Sequence, residues 1–414
     1  MQDPPYLTSL PRRDPRLSTN ALEQRVADVI QAYDAQGNHR TATEQDNASA
    51  EWLAAQLSGL GIQPSLEPFP LDRVDPQLGY VHVAGRRIDG VPMFDAGFTD
   101  IEGVRGRLGP IGSDAEIGLA ETEPSRLTEP GTERQRALLS NLRHSRHKAV
   151  VLLTRGSTPG LFLLNAPCFK KPFGPPTLQI SSTEGEWLKK HAQEHTEATV
   201  VVHAGRASAR AFNVTARVVG SRSELPPLVI MTPRSGWWQC ACERGGGLAC
   251  WLEAIRVVAN GKPARDCFFV ALSGHELGGL GIDAYMERRN DLIRRAYAWI
   301  HFGANIGAPR QPNLLQTSDD ALEQWAVAAM EREGLAVNRK AERGSTPFGE
   351  AGTIHRGGGS YIALICGSDV FHNTADRWPE AVDVTILAQY ATAFANGVLE
   401  LAKQSGGGRG SGHY

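Results

Sequence analysis

The spacing of apolar residues near the N-terminus predicts two amphipathic helices. In the segment 21–35, apolar residues recur every three or four positions, at Leu22, Val26, Val29, Ile30 and Tyr33. This is the period of one face of a helix. A second helix is predicted over 46–60, where Asn47 or Ser49 could cap the N-terminus and two glycines end the pattern.

The segment from about 69 to 211 has a different pattern, in which short β-type runs alternate with turns rich in glycine and proline. The runs lie at 80–83, 148–154, 177–180 and 198–203. The charged stretch 113–147 predicts a loop with one helix. Together these features predict a β-rich unit over 70–210.

After position 211, predicted strands and helices alternate. The strands are predicted at 211–219, 228–231, 267–272, 296–302 and 361–366, and the helices at 247–259, 277–289, 321–333 and 384–404. The run 267–272 is continuously apolar, as expected for a strand in a sheet that is covered on both faces. The alternation predicts an α/β fold, a doubly wound mixed sheet with helices on both faces, into which the β-rich unit is inserted.

Ligands bind beyond the carboxyl ends of the strands in such sheets. The segments 231–246, 273–276 and 303–307 each follow a predicted strand, and His372 lies shortly after the strand at 361–366. We expect these four positions to converge on one crevice.

Length and composition agree with a soluble globular protein. The chain has 414 residues, 41% apolar and 21% charged, which suits two or three domains. We divide it into an N-terminal arm and helices of the catalytic domain (1–69), a lid domain (70–210), a catalytic α/β domain (211–405) and a flexible tail (406–414). The net charge of -2 shows no basic excess, so we expect no nucleic-acid partner.

Several features predict a cytoplasmic protein. Residues 1–20 form a proline- and arginine-rich arm without the apolar core of a secretory signal. No stretch is apolar for the roughly 18 residues that a membrane-spanning helix needs, so we expect no membrane partner. Six cysteines are too few for a disulfide scaffold of this length, and we expect most of them to be reduced and buried.

Five segments resemble, in order, the aminopeptidase branch of the co-catalytic zinc exopeptidases, a superfamily that also contains glutaminyl cyclase and the transferrin receptor. The segment similar to the family's N-terminal helix region is GNHRTATEQDNASAEWLAAQLSGLGI. The segments similar to a protease-associated domain are KAVVLLTRG and PPTLQISSTEGEWL. The strand that re-enters the catalytic domain resembles AFNVTARVVGS. The segment similar to the family's strand, turn and helix with the Glu-Glu pair is FVALSGHELGGLGIDAY. The segment similar to the family's last ligand segment is FHNTADRWPEAVD. The resemblance implies the zinc-exopeptidase fold with a protease-associated insert.

The resemblance also implies a degraded metal site. Active members hold two zinc ions, each through a His and a carboxylate, with a bridging Asp and a Glu as general base. The family's ligand and base positions, carried over without gaps, fall in order on Thr232, Glu243, His275, Glu276, Ala304 and His372. The Asp that supports the first His in the family falls on Arg234. One site would keep Glu243, Glu276 and His372, the set that resembles the single zinc site of glutaminyl cyclase. The implied cofactor is one divalent ion, zinc, or none.

Two residues depart from the family in ways that suggest other chemistry. His275 replaces the general base, and an imidazole with a pKa near 6.5 suits that role; it could also be a ligand or inert. Arg234 adds a permanent cation near the lost ion, where it could bind a substrate carboxylate through two parallel hydrogen bonds. Arg234 could instead pair with Glu243 or Glu276 in a site without activity.

Other side chains could line the crevice. We expect Trp237 and Trp238 to form its wall, and Arg343 to add a polar contact to the substrate. Cys240 or Cys242 could act as a nucleophile with His275, or contribute to a Cys-x-Cys-Glu metal site.

Two functions follow as hypotheses, with a third kept open. The first is a mononuclear metal-dependent hydrolase or amide-processing enzyme, with a small or short peptide-like substrate that bears a carboxylate. The alternative is a non-catalytic binding or structural protein with an aminopeptidase-like fold. A metal-free enzyme that uses His275 with Cys240 or Cys242 is the third, and a homo-oligomer is compatible with each.

Overall fold

The computed structural model describes residues 21–124 and 133–404, and it confirms the α/β architecture. The predicted arm over 1–20 and tail over 406–414 lie outside the described residues. The strands are β1 (Pro64–Val83), β2 (Arg86–Asp89), β3 (Val91–Pro92), β4 (Val104–Pro110), β5 (Ile117–Thr122), β6 (Ala149–Thr154), β7 (Thr177–Ile180), β8 (Glu197–Val218), β9 (Leu228–Pro233), β10 (Cys267–Leu272), β11 (Ala298–Phe302), β12 (Asn313–Thr317), β13 (Arg339–Lys340) and β14 (Tyr361–Cys366). The helices are α1 (Ala21–Asp34), α2 (Glu44–Gly59), α3 (Glu133–Arg143), α4 (Gly185–Gln193), α5 (Gly245–Asn260), α6 (Leu280–Glu287), α7 (Leu292–Arg295), α8 (Asp320–Arg332), α9 (Ala351–Arg356) and α10 (Val384–Lys403).

The centre of the sheet is parallel and buried on both faces. Strands β10, β9, β11 and β14 are parallel neighbours in that order, with β8 antiparallel at one side and β12 antiparallel at the other. Apolar residues of α1, α2, α5, α8 and α10 form the core on one face, and those of α6, α7 and α9 form the core on the other. This arrangement explains why the central strands are continuously apolar.

Two long strands connect the parallel sheet to the inserted segment. β1 and β8 pair antiparallel from Pro64 with Ala216 to Val83 with Ala198. The C-terminal end of β8 also pairs with β10, and its N-terminal end pairs with β4. The strands predicted at 198–203 and 211–219 are therefore one strand, because the exposed residues between them keep their pairing to β1. The domain boundaries at 70 and 210 stay a prediction.

A segment of the insert lies over the carboxyl ends of the parallel strands. Leu163 and Phe169 belong to an apolar cluster that also contains Phe94, Trp237 and Leu277. In the same segment, the Ala166 backbone N–H donates to the Glu276 backbone carbonyl at 2.7 Å. The insert thus covers part of the predicted crevice.

Several element boundaries differ from the sequence prediction for local reasons. Helix α2 begins two residues earlier than expected, since Thr43, and not Asn47 or Ser49, accepts the N-terminal hydrogen bond from the Asp46 N–H. Helix α6 begins only at Leu280, because Gly274, Gly278 and Gly279 have φ values of 80°, 84° and 83° and form a turn there. Among the described residues, none of the helices combines the length and apolar character that crossing a membrane requires.

Candidate functional site

The loops that follow the parallel strands meet at one edge of the sheet, as predicted. The Asp376 carboxylate, after β14, accepts hydrogen bonds from the backbone N–H groups of Cys242 and Glu243, after β9, at 2.8 and 2.9 Å. A Cβ added to Gly246 would lie 1.9 Å from the Ile306 carbonyl oxygen. Only glycine allows this close approach of the loops.

A buried ion pair occupies the centre of this edge. Arg244 and Glu243 are both 0% exposed, and an Arg244 guanidinium nitrogen lies 2.7 Å from Glu243 Oε1. Arg244 Nε donates to the Ser235 carbonyl at 2.7 Å. Burial raises the pKa of Glu243, but the charge of Arg244, together with His372 and His275, outweighs burial and holds this pKa below its usual value. Burial lowers the pKa of Arg244, and the charges of Glu243, Glu350 and Glu276 contribute to a net rise, so the pair is charged at neutral pH.

His372 has the orientation of a metal ligand but faces the ion pair. Its Nδ1 donates to the Leu163 carbonyl at 2.9 Å, which leaves the Nε2 lone pair 3.4 Å from Glu243 Oε1. Burial lowers the pKa of His372 to about 4, so the imidazole is neutral at pH 7. The residue has a φ of 63°, a conformation that is rare outside glycine and often marks functional sites.

Glu276 is held by protein donors on both of its oxygens. Oε1 accepts from the Thr41 backbone N–H at 2.8 Å and from the Thr41 hydroxyl at 2.5 Å, while Oε2 accepts from the Ser235 hydroxyl at 2.7 Å. The side chain is 0% exposed. These three hydrogen bonds satisfy the carboxylate without an ion.

His275 lies beside the ion pair and is oriented by a buried carboxylate. Its Nδ1 is 2.8 Å from Glu350 Oε1, and His301 Nε2 is 3.0 Å from Glu350 Oε2. Burial raises the pKa of Glu350, but the two imidazoles outweigh burial and hold this pKa well below its usual value. A carboxylate on Nδ1 is the arrangement that orients a general base; that role of His275 stays a prediction.

The contacts of Arg234 do not agree with the prediction that it binds a substrate carboxylate. Its side chain is fully buried, and NH1 donates to the Asp46 carboxylate and to the Asp46 carbonyl, each at 2.8 Å. Nε and NH2 donate to the Phe212 carbonyl. These bonds fix the start of α2 to β8 and leave Arg234 unavailable to a ligand. The cation at the centre of the site is instead Arg244.

Arg343 lies at the wrong edge of the sheet for the predicted role. Its guanidinium donates to the Thr317 carbonyl at 2.7 Å and to Asp320 and Glu323 at the start of α8. Thr317 pairs with Ile362, at the amino end of β14, whereas the ion pair lies beyond the carboxyl ends. Arg343 therefore supports α8.

The two tryptophans are placed at the crevice. Trp237 donates from Nε1 to Asn165 at 3.2 Å, and Trp238 donates from Nε1 to the His372 carbonyl at 3.0 Å. Both contribute to a pocket of about 310 Å³ that adjoins the site. Their role toward a substrate stays a prediction.

The cysteines do not have the environment of a nucleophile. Cys240 and Cys242 are fully buried, and burial, together with the charges of Asp376 and Glu243, raises both thiol pKa values well above the usual value. Reactive cysteines have lowered pKa values and partial exposure. The cysteine-nucleophile hypothesis therefore has no support in the described structure.

The predicted three-ligand zinc site does not fit this arrangement. Glu243 Oε1 and His372 Nε2 are spaced like two ligands of one ion and have no hydrogen-bond partner. However, Arg244 already neutralises Glu243, and Glu276 already accepts three hydrogen bonds. Among the described residues, the group with ligand atoms within 4.8 Å of one another is Cys240, Glu243 and Asp376. In that group, the Asp376 carboxylate already accepts from the backbone N–H groups of Cys242 and Glu243, and Glu243 is paired with Arg244.

The sequence interpretation missed the residues that stabilise the site. Thr41 and Ser235 bind Glu276, and Asp46 binds Arg234. The signal that could have identified Arg244 is its place directly after Glu243, in a loop with three glycines. No sequence pattern identifies Thr41, which reaches Glu276 from 235 positions away.

Comparison with solved structures defines the class of fold. A zinc aminopeptidase from Bacillus subtilis aligns with a TM-score of 0.75 at 17% identity, covering 95% of this chain and 97% of that chain. A peptidase M28 precursor from Shewanella amazonensis aligns with a TM-score of 0.75 at 17% identity, over 94% and 96% of the two chains. An aminopeptidase from Aneurinibacillus sp. strain AM-1 aligns with a TM-score of 0.68 at 16% identity, over 93% and 95%. The sequence matches no protein-family model and none of the curated proteins compared with it.

This chain therefore has the zinc-aminopeptidase fold, which confirms the fold that the resemblance implied. The protease-associated character of the insert and the loss of metal ligands stay predictions.

Proposed function

We propose that the protein is a non-catalytic member of this fold, a binding protein whose charged centre contains a guanidinium in place of a metal ion. Arg244 carries the proposal. It is the counter-charge of Glu243 at 2.7 Å, and the charges of Glu276 and Glu350 also act on it. A dication beside this guanidinium would be repelled in a medium of low dielectric constant, where such repulsion is strong.

The hydrogen bonds of Glu276 support the same proposal. Its carboxylate already accepts three hydrogen bonds from Thr41 and Ser235, which occupy most of the roughly four lone-pair positions of a carboxylate. The negative charge of Glu276 is therefore stabilised by protein donors. Two of the three predicted ligands thus already have protein partners.

The experiment is zinc titration by calorimetry, combined with elemental analysis of protein purified without chelator from zinc-supplemented cells. We expect substoichiometric metal, no saturable zinc binding, and no release of p-nitroaniline from leucine p-nitroanilide. The matched variant is Arg244→Met, which removes the cation while keeping a similar volume. One equivalent of bound zinc in the wild type would refute the proposal.

A mononuclear metal-dependent hydrolase is the second candidate function. It is favoured by the distance of 3.4 Å between Glu243 Oε1 and His372 Nε2, both buried and without a hydrogen bond, which suits two ligands of a single ion. Stoichiometric zinc that is lost in His372→Gln, together with hydrolysis of a peptide-like substrate, would establish this function instead.

A further inference from the structure

The pocket beside the buried ion pair has the composition of a small-molecule site. It has a volume of about 310 Å³ and is lined by Asn38, Arg40, Thr43, Gln45, Pro76, Val91, Phe94, Leu163, Trp237 and Trp238. Ligand sites are typically concave and mostly apolar, with few polar groups that fix the orientation of the ligand. Here the charged group is Arg40.

Arg40 is a cation without a strong partner. Its closest carboxylate is Asp75, with NH2 to Oδ1 at 3.7 Å, which is too long for a hydrogen bond. Asp75 is already bound by Arg73 through two hydrogen bonds of 2.7 and 2.9 Å. The Arg40 guanidinium donates no hydrogen bond to any described residue, and its Nε is buried. The two terminal guanidinium nitrogens, which are not buried in this way, are therefore available to an anion.

The backbone around Arg40 is rigid. The neighbouring His39 donates its N–H to the Trp238 carbonyl at 2.9 Å and accepts from the Gly236 N–H at 3.0 Å. On the other side, Thr41 is bound to Glu276. A rigid support lowers the entropy that a ligand must offset to order the side chain.

Aromatic rings form the wall next to this cation. The Arg40 guanidinium lies over the Phe94 ring, 5.4 Å from its centre, and the Phe94 and Trp237 rings meet edge to face at 5.0 Å. Trp238 is only half buried and is fixed through its indole N–H to the His372 carbonyl. Fixed aromatic faces beside a cation suit a ligand that has both an apolar ring and an anionic group.

We propose that this pocket binds a small carboxylate with an aromatic or branched apolar side chain, and that Arg40 binds the carboxylate. The proposal names the ligand class for the binding protein proposed above and rests on that function. The carboxylate replaces the hydrogen-bond acceptors that Arg40 lacks, and the apolar part packs against Trp238 and Leu163.

The test uses N-acetyl-L-phenylalanine as the carboxylate and its neutral amide as the comparison ligand. Calorimetry and quenching of tryptophan fluorescence should show one acid bound per chain, at least tenfold more tightly than the amide. Arg40→Gln should remove this preference. Arg86→Gln is the matched control, because Arg86 also stacks on an aromatic ring, that of Trp187 at 5.0 Å, but lies outside the pocket; it should bind the acid like the wild type.

Three outcomes would overturn the pocket assignment: equal binding of acid and amide, retained preference in a folded Arg40→Gln protein, or no binding of the acid at millimolar concentration. None of these affects the proposed non-catalytic function. Release of free phenylalanine from the bound acid, by contrast, would refute that function and leave the pocket assignment standing.

Discussion

Replacing Arg244 by methionine tests the most unusual feature of the site, a fully buried guanidinium beside a buried carboxylate. The two groups are 2.7 Å apart at their closest atoms. Unit charges separated by about 4 Å attract with about 4 kcal/mol at an effective dielectric constant of ~20. Removal of one partner of a buried pair typically destabilises a protein by about 3–5 kcal/mol, because the other charge stays buried without compensation. We expect a loss in this range for Arg244→Met.

The loss of stability in Arg244→Met should depend on pH, because the charge of Glu243 depends on pH. In the wild type, the pKa of Glu243 lies below its usual value, so its charged form stabilises the fold above the unfolded pKa of about 4.3, and this stability is lost as pH falls through the folded pKa. In Arg244→Met, burial acts without the opposing charge and raises the pKa of Glu243. Protonation of Glu243 then relieves the penalty in acid, so the difference between wild type and variant should be larger at pH 7 than at pH 5.

The assay is urea denaturation followed by tryptophan fluorescence at both pH values, with equal m-values as the condition for comparing midpoints. Glu243→Gln/Arg244→Met is the control, because it removes the uncompensated charge as well. We expect this double variant to recover more than half of the lost stability. A loss below about 1 kcal/mol, typical of surface pairs, or one that does not change with pH, would refute the reasoning.

Three further outcomes are expected. Arg234→Ala should lower the free energy of unfolding by about 3–5 kcal/mol, because Asp46 loses its buried partner; near-wild-type stability in urea would contradict this. His372 has a folded pKa of about 4 against about 6.5 unfolded, so its contribution to stability is present above pH 6.5 and lost as pH falls toward 4; His372→Gln should flatten the dependence of the urea midpoint on pH in that window. Gly246→Ala should destabilise the protein strongly, because the added Cβ would lie 1.9 Å from a carbonyl oxygen, whereas Gly59→Ala, with nothing within 4 Å of the added Cβ, should change the melting temperature little or raise it.

The central sheet could be predicted because each strand there is a short apolar run between turns. The strands at 267–272 and 361–366 agree with β10 and β14 residue for residue, and the helix predicted at 384–404 differs from α10 by one residue. Burial on both faces produces this pattern directly. The convergence of the loops at the carboxyl edge followed from topology alone.

The long strands could not be predicted, because prolines interrupt the apolar pattern of β1 and a run of exposed residues interrupts that of β8. Only 80–83 of β1 was identified, and the middle of β8 has the composition of a loop. Pairing between segments far apart in the chain, and not local composition, stabilises these strands. β12 was missed for the related reason that its five residues mix polar and apolar types.

The site was predicted in position but not in chemistry. Glu243, Glu276 and His372 do lie at the expected edge, yet no sequence pattern indicates that each carboxylate has a protein partner of its own. The course of the backbone after β9 determines which arginine lies beside Glu243. Arg234 turns toward Asp46 and Arg244 turns toward Glu243, and alignment to a family pattern does not reveal this difference.

The long pairing of β1 with β8 has a consequence for the growing chain on the ribosome. Ser65 and Thr215 lie 150 positions apart, so at ~5–20 residues per second β1 is synthesised roughly 8–30 s before its partner. During that interval a 20-residue strand is available to pair with other nascent chains. Proline at positions 64, 68, 70 and 76 removes backbone donors along its first two thirds, which makes it a poor template for aggregation while β8 is still being made.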